Sequence, residues 1–387
     1  MGRVTSKDRP RVGMVGGGQL ARMSAAPAAA LGIDFRVLAT SRQESAAQVV
    51  SDVALGAHDD EHAVLAFADG CDVVTFDHEH VPGPILEKLE ARGVAVRPGP
   101  RALINAQDKA IMRRTLEGVG APVPAWRIVE SPAHAQDFAE TVGYPFIAKT
   151  SRGGYDGKGV WRVESASHLD AVMSEPLPPG AVWLAEAAVP FTQELSVQVA
   201  RSPSGQTAAY PVVRTVQTEG ICSEVVAPAP GLDPDRAVGA QRIALDIAGA
   251  LDMTGMLAVE MFDTGQEIFV NELAMRPHNS GHWTIEGAIT SQFENHLRAV
   301  LDLPLGSPNA REPAAVMVNI LGGEVGDLYS AYRHVFARDP GVKLHLYGKE
   351  VRPGRKVGHV TAVGSDPQSL LLRARHAADY FRGAINE

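Results

Sequence analysis

Apolar runs separated by glycine and proline breaks predict a parallel α/β layer at the start of the chain. Residues 11–16 (RVGMVG) form a short apolar run that stops at Gly16-Gly17-Gly18. Helix formers follow from Gln19 to Leu31, punctuated by Pro27 and Gly32, and Asp34–Ala39 (DFRVLA) reads as a second strand. Strand, tight glycine turn, helix and strand make a βαβ unit, whose strands lie parallel. A further run, Cys71–Phe76, ends at the polar cluster Asp77-His78-Glu79-His80. Pro82, Gly83 and Pro84 stop it before a helix over Ile85–Arg92.

Residues 97–109 read as a link into another helix, and the Pro/Gly-rich break Gly120–Pro124 marks a first boundary. Strands follow at Phe146–Lys149, Val160–Val163, Val182–Glu186 and Glu194–Arg201, then an amphipathic helix at Ala237–Leu251. Strands Leu257–Phe262 and Glu267–Leu273 flank Asp263-Thr264-Gly265-Gln266, a good hairpin turn. Pro304–Pro313 marks a second boundary, and the rest reads as short strands and turns. The expected division is 1–120, 121–305 and 306–387, with no internal repeat.

Composition fits this picture. With 387 residues the chain exceeds one ordinary core, and 45% hydrophobic with 21% charged residues is a globular balance. A net charge of -9 argues against a general nucleic-acid or anionic-membrane binder. No stretch approaches the ~20 apolar residues of a membrane span, and the N-terminal residues carry no apolar signal core. Cys71 and Cys222, far apart, make no disulfide framework. Reduced thiols and a cytoplasmic protein are the expectation.

Several constellations carry chemistry. Gly153–Gly159 (GGYDGKG) has four glycines in seven residues, so its backbone N–H groups are unobstructed and can donate to phosphates, with Lys149 and Lys158 neutralising charge. A plain hairpin loop is the alternative, but Lys149 at the end of the apolar strand PFIAK points to a site. Glu260 and Glu272 lie on the two arms of the predicted hairpin, and folding its turn sets them roughly opposite. Two carboxylates plus substrate phosphates suit Mg²⁺. Arg276-Pro277-His278-Asn279-Ser280-Gly281-His282 gathers polar groups directly behind the second of them. Lys349, Arg352, Arg355 and Lys356 put four basic residues in eight on a turn, fit for a phosphate monoester rather than nucleic acid. Gly16–Ala21 fits G-x-G-x-x-A, the dinucleotide fingerprint. No acidic residue ends the second strand, and Arg42 there leaves an NADP-dependent oxidoreductase open as an alternative. The same amides can hold another anion.

These residues together resemble the ATP-grasp superfamily, and within it the 5-(carboxyamino)imidazole ribonucleotide synthases. The resemblance rests on GGGQLARM at 16–23, TFDHEHVP at 75–82, GGYDGKG at 153–159, NELAMRPHNSGHWT at 271–284, SQFENHLRA at 291–299 and EVRPGRKVGH at 350–359. It implies an ATP-grasp fold preceded by a Rossmann-like parallel α/β domain and followed by a small, mostly β C-terminal domain. It implies ATP- and bicarbonate-dependent carboxylation of the exocyclic amine of aminoimidazole ribonucleotide through carboxyphosphate, in a homodimer. ATP would meet Lys109, Lys149, the lid Gly154, Tyr155, Asp156, Gly157, Lys158, Gly159 and Val160, then Glu186, Ala187, Ala188, Val189, Glu194, Gln217, Asn271 and Glu272. Glu260 and Glu272 would bind Mg²⁺, or Mn²⁺. The ribonucleotide would contact Gln19, Leu20, Glu79, Tyr155, Asp156, Arg276, His278 and Asn279, with its phosphate on Lys349, Arg355 and Lys356. Asp156, Arg276, His278 and Asn279 would be the catalytic group.

The chain departs from the family pattern in four places. Asp77 stands where the family usually has Glu, Met275 where it has Pro, Lys109 where Arg is common and Gln217 where His is frequent. The asparagine of the E-x-N-x-R motif in ATP-grasp carboxylases is replaced by Ala274. The nearest rival is a formate-dependent glycinamide ribonucleotide transformylase of the same architecture.

Overall fold

The computed structural model describes residues 9–154 and 158–385. Its first sheet consists of β1 (Arg11–Val15), β2 (Asp34–Ala39), β3 (Asp52–Leu55), β4 (Val73–Phe76) and β5 (Ala95–Val96), all parallel in the order β3-β2-β1-β4-β5. Strands buried on both faces read as continuous apolar runs, and β4 is buried throughout. The helix Gln19–Ala30 crosses from β1 to β2 as expected. Because β4 returns to the other side of β1, the order reverses between them. The polar clusters that end both strands therefore share one crevice.

The glycine turn after β1 is closed from within. Asp77, just past β4, accepts from the backbone N–H of Gly18 at 2.6 Å and of Ala21 at 2.9 Å. A side-chain carboxylate thus sits on amides at the helix N-terminus, where the sequence allowed a bound anion or dinucleotide. Burial pushes the Asp77 carboxyl above its usual range, and the two amides oppose this.

A small antiparallel sheet follows, formed by β6 (Trp126–Val129), β7 (Phe146–Thr150), β8 (Val160–Val163) and β9 (Trp183–Ala187) in the order β6-β9-β7-β8. The large sheet contains β10 (Gln193–Arg201), β11 (Thr207–Ala209), β12 (Val213–Thr218), β13 (Ile221–Ala227), β14 (Gly255–Asp263) and β15 (Ile268–Ala274). It continues through β16 (Ala314–Leu321), β17 (Lys343–Leu346) and β18 (Lys356–Gly364). Its order is β15-β14-β10-β12-β13-β16-β18-β17, with β11 on β10. The hairpin turn expected at Asp263–Gln266 joins β14 to β15.

The C-terminal segment carries the expected strands and, besides them, the helix Pro367–Arg382. Its buried Leu370, Ala374, Ala377, Ala378 and Phe381 pack on Val316, Val318, Val360 and Ala362. That spacing is a helical stripe, which a search for strands and turns passes over. Among the described residues no helix is long and apolar enough to cross a membrane.

His296 joins the first sheet to the large one. On the helix Gln292–Val300 its ring accepts from the Met256 N–H at Nδ1 (3.2 Å), so Nε2 carries the hydrogen and donates to Thr75 Oγ1 (2.9 Å). Burial lowers this imidazole to about 3, against 6.5 when exposed. The unfolded chain therefore takes up a proton that the fold refuses as pH drops from 6.5 toward 3, and stability falls over that window. His296→Gln should flatten the fall of the urea midpoint between those pH values by about one proton's slope. An unchanged slope would mean that the ring is protonated in the native state.

Candidate active site

The glycine loop joins β7 to β8, and Lys149 pairs with Val160 across them. Gly159 has φ +72° and a Cβ there would lie 2.6 Å from Thr150 Oγ1, so glycine is required on both counts. Tyr155, Asp156 and Gly157 lie outside the described residues. Gly154 is half-buried, while Lys158 and Val160 are exposed.

Below the loop lies a buried charge network. Lys149 Nζ donates to Glu186 Oε2 at 2.7 Å and to Asn271 Oδ1 at 3.2 Å. Arg113 reaches the same carboxylate through Nε and Nη2 (2.8 and 3.1 Å). Burial would raise Glu186, but the two cations hold it down at about 2. Burial lowers Lys149, and Glu186 opposes that. Ala187, Ala188 and Val189 continue from β9 as half-buried backbone. Glu194 on β10 takes a hydrogen bond from Gln217 on β12, at a register shift between Val216 and Gln217.

Glu260 and Glu272 face each other as direct cross-strand partners on β14 and β15. Lys109 Nζ lies 2.6 Å from Glu272 Oε1. The two side chains line a cleft, 23% and 42% exposed. Burial, then the negative charge of Glu272 and Glu194, raises Glu260 to about 8. Burial would raise Glu272 as well, but Lys109 and Lys149 bring it below its usual value. Among the described residues no group of three or more His, Cys, Asp or Glu could hold a metal ion. Two carboxylates alone could hold a hard cation only together with ligands from elsewhere, such as phosphate oxygens or water.

The next segment is held rigidly. Glu79 grips Arg276 Nε at 2.7 Å and accepts from the Met275 N–H at 3.2 Å, linking the first sheet to the end of β15. His278 Nε2 stands 3.7 Å from Glu260 Oε1, too far for a hydrogen bond, and burial lowers its ring well below the usual value. Gln292 accepts from the His278 N–H (2.9 Å) and donates to its carbonyl (2.8 Å). Asn279 is turned toward Asn319 on β16, each amide donating to the other at 3.0 and 2.7 Å. Arg276 and His278 thus border the carboxylate pair, whereas the Asn279 amide is engaged behind them.

The basic turn meets the first sheet's crevice. Lys349 Nζ donates to Gln19 Oε1, while Ser45 and Gln48 hold the carbonyls of Tyr347 and Gly348 at 2.5 and 2.7 Å. Leu20 is buried. The charge of Lys356 acts on Glu260 and His278, placing it toward the carboxylates, while Arg355 is exposed and reaches the Glu350 carbonyl at 3.3 Å.

Sequence reasoning missed Arg113, Gln292 and Asn319. Arg113 had a signal, since it shares the inward face of Lys109–Gly118 with Ala110 and Leu116. Asn319 had none, because a lone asparagine inside the apolar run of β16 acquires meaning only from its partner in space.

Three family models cover the chain. They are the ribonucleotide synthetase preATP-grasp domain over residues 10–107, the ATP-grasp domain over 114–293 and the phosphoribosylaminoimidazole carboxylase C-terminal domain over 315–373. The N5-carboxyaminoimidazole ribonucleotide synthase of Mycobacterium bovis is 51% identical over 97% of this chain and 89% of its own length. That of Corynebacterium ammoniagenes is 46% identical over 97% and 92%. The crystal structure of the Thermus thermophilus synthetase superposes with a TM-score of 0.85 at 39% identity, over 97% of this chain and 99% of that one. The Aspergillus clavatus synthase in complex with ADP and 5-aminoimidazole ribonucleotide gives 0.88 at 33% identity, over 98% and 100%. The chain belongs to the N5-carboxyaminoimidazole ribonucleotide synthase family of ATP-grasp enzymes.

Proposed function

We propose that this enzyme uses ATP and bicarbonate to carboxylate the exocyclic amine of 5-aminoimidazole ribonucleotide, releasing ADP and phosphate. The observation that carries the reading is the facing Glu260–Glu272 pair, with Lys149 and Lys109 on one side and Arg276 and His278 on the other. Neither alternative gains support. Asp77 occupies the fingerprint amides that an NADP enzyme would use, and the family relatives are carboxylating synthases rather than transformylases.

Lys149 and Lys109 would neutralise the phosphates of ATP, with Glu186–Val189, Glu194 and Gln217 along its adenosine. Glu260 and Glu272 would hold Mg²⁺, or Mn²⁺, which supplies charge neutralisation at phosphate oxygens. Bicarbonate attacks the γ-phosphorus to give carboxyphosphate, and Arg276 with His278 holds the bicarbonate. The amine of the ribonucleotide then takes up the carboxyl group, with phosphate as the leaving group and one proton released. Gln19, Glu79 and the turn Lys349–Lys356 would receive the ribonucleotide, and Tyr155 and Asp156 belong to the lid that excludes water from carboxyphosphate. The resemblance further supports a cytoplasmic homodimer of three-part chains divided near 120 and 305, which sedimentation and limited proteolysis would test.

ADP release should fall to background when either bicarbonate or aminoimidazole ribonucleotide is left out. Release indifferent to both omissions would refute the assignment. Glu272→Gln should lower kcat by about two to three orders of magnitude while leaving the fold intact by circular dichroism. Lys349→Ala should raise KM for the ribonucleotide by about tenfold or more, with KM for ATP unchanged. A rise in the ATP constant instead would move the basic turn to the nucleotide.

A further inference from the structure

We propose that Arg113 is a positioning residue that keeps Lys149 available to the nucleotide phosphates. The inference rests on the nucleotide reading above and adds to it a residue that touches no substrate.

Arg113 lies on the helix Lys109–Gly118, and its side chain is 0% exposed. Its guanidinium spans both oxygens of Glu186 on β9, and Nη2 also donates to the Asn271 carbonyl on β15 at 2.8 Å. One planar fork therefore ties the small sheet, which carries the glycine loop, to the strand that carries Glu272. A lysine in the same place has no fork with which to hold two carboxylate oxygens and a carbonyl together. The surface pairs differ. Arg375 with Glu224 and Arg373 with Asp339 are one-to-one, and their arginines are 47% and 38% exposed.

The charge count gives the contact its purpose. Lys149 Nζ shares Glu186 Oε2 with Arg113, so two cations compete for one carboxylate and the group carries one surplus positive charge. Without Arg113, Lys149 and Glu186 would form a closed neutral pair. In a dry setting such a pair holds its ammonium tightly. With Arg113 satisfying the carboxylate, Lys149 retains charge that an anion can use. The Asn271 amide at 3.2 Å keeps the ammonium directed toward β15. Arg113 thus acts on the phosphates through Lys149, and on the spacing of the two sheets through Glu186 and Asn271.

The test uses the full-length enzyme, with steady-state kinetics in all three substrates and calorimetric titration of ADP. Arg113→Met should raise KM for ATP and Kd for ADP by about tenfold or more, while KM for bicarbonate and for the ribonucleotide move less than about threefold. Arg113→Lys, which keeps the charge but not the fork, should leave a smaller rise confined to ATP. Two outcomes would overturn the proposal. They are a parental ATP constant in Arg113→Met, or equal losses for all three substrates that track a lowered melting temperature. If Arg113→Met does not fold, Arg113→Lys decides, since a rise confined to ATP supports the role, and an unchanged ATP constant or a uniform loss refutes it. Absence of ADP binding by the parent enzyme would instead refute the nucleotide reading itself.

Discussion

The repulsion between Glu260 and Glu272 organises the cleft around it. Register makes the two carboxylates direct partners, and like charges at that spacing do not both ionise easily in a poorly solvated place. Lys109 relieves one of them, while burial and then the neighbouring negative charge leave the other raised to about 8. The register shift that follows Glu260 breaks regular pairing at that point and re-aims the strand beside the site. A divalent cation held by the two carboxylates would offset that repulsion. On the proposed reading, the two residues that repel each other would then help to hold the triphosphate.

Groups around that pair are fixed by buried polar bonds rather than by apolar packing alone. His278 is held at its N–H and its carbonyl by one glutamine, and a Cβ at Gly281 would strike that glutamine's side chain. Behind it, Ser280 bonds to Ser196 and Gln198 on β10, and Asn279 to Asn319 on β16. Each contact comes from a different element, so the segment after β15 has few alternative conformations. Directional bonds of this kind set side-chain positions more tightly than contact area does.

Much of this was legible beforehand, for identifiable reasons. The parallel first sheet followed from apolar runs broken at glycine, and the facing of Glu260 and Glu272 from a turn whose length fixes register. Lys149 stood out as a charge at the end of an apolar strand. Contacts between residues far apart in the chain stayed hidden, among them Arg113 with Glu186 and Asn279 with Asn319. The helix Pro367–Arg382 was passed over because its apolar stripe is built largely from alanine, which marks a face weakly. Tertiary placement, rather than local propensity, decides all of these.

Gly16–Ala21 shows most clearly how a local motif and its use separate. The glycines make the tight turn and the helix N-terminus that a dinucleotide pyrophosphate requires, yet the first acceptor there is the chain's own Asp77. Once the amides are bound internally, the turn serves to place the first residue of the helix. That residue is Gln19, and its side chain meets Lys349 near the other end of the chain. Ser45 and Gln48 hold the neighbouring carbonyls, so the contact is a docked surface rather than a single bond. The same fold element that elsewhere binds a cofactor here closes the first and last parts of the chain around one crevice. A fingerprint therefore predicts the backbone shape, whereas its ligand depends on which acceptor the rest of the fold brings to the amides.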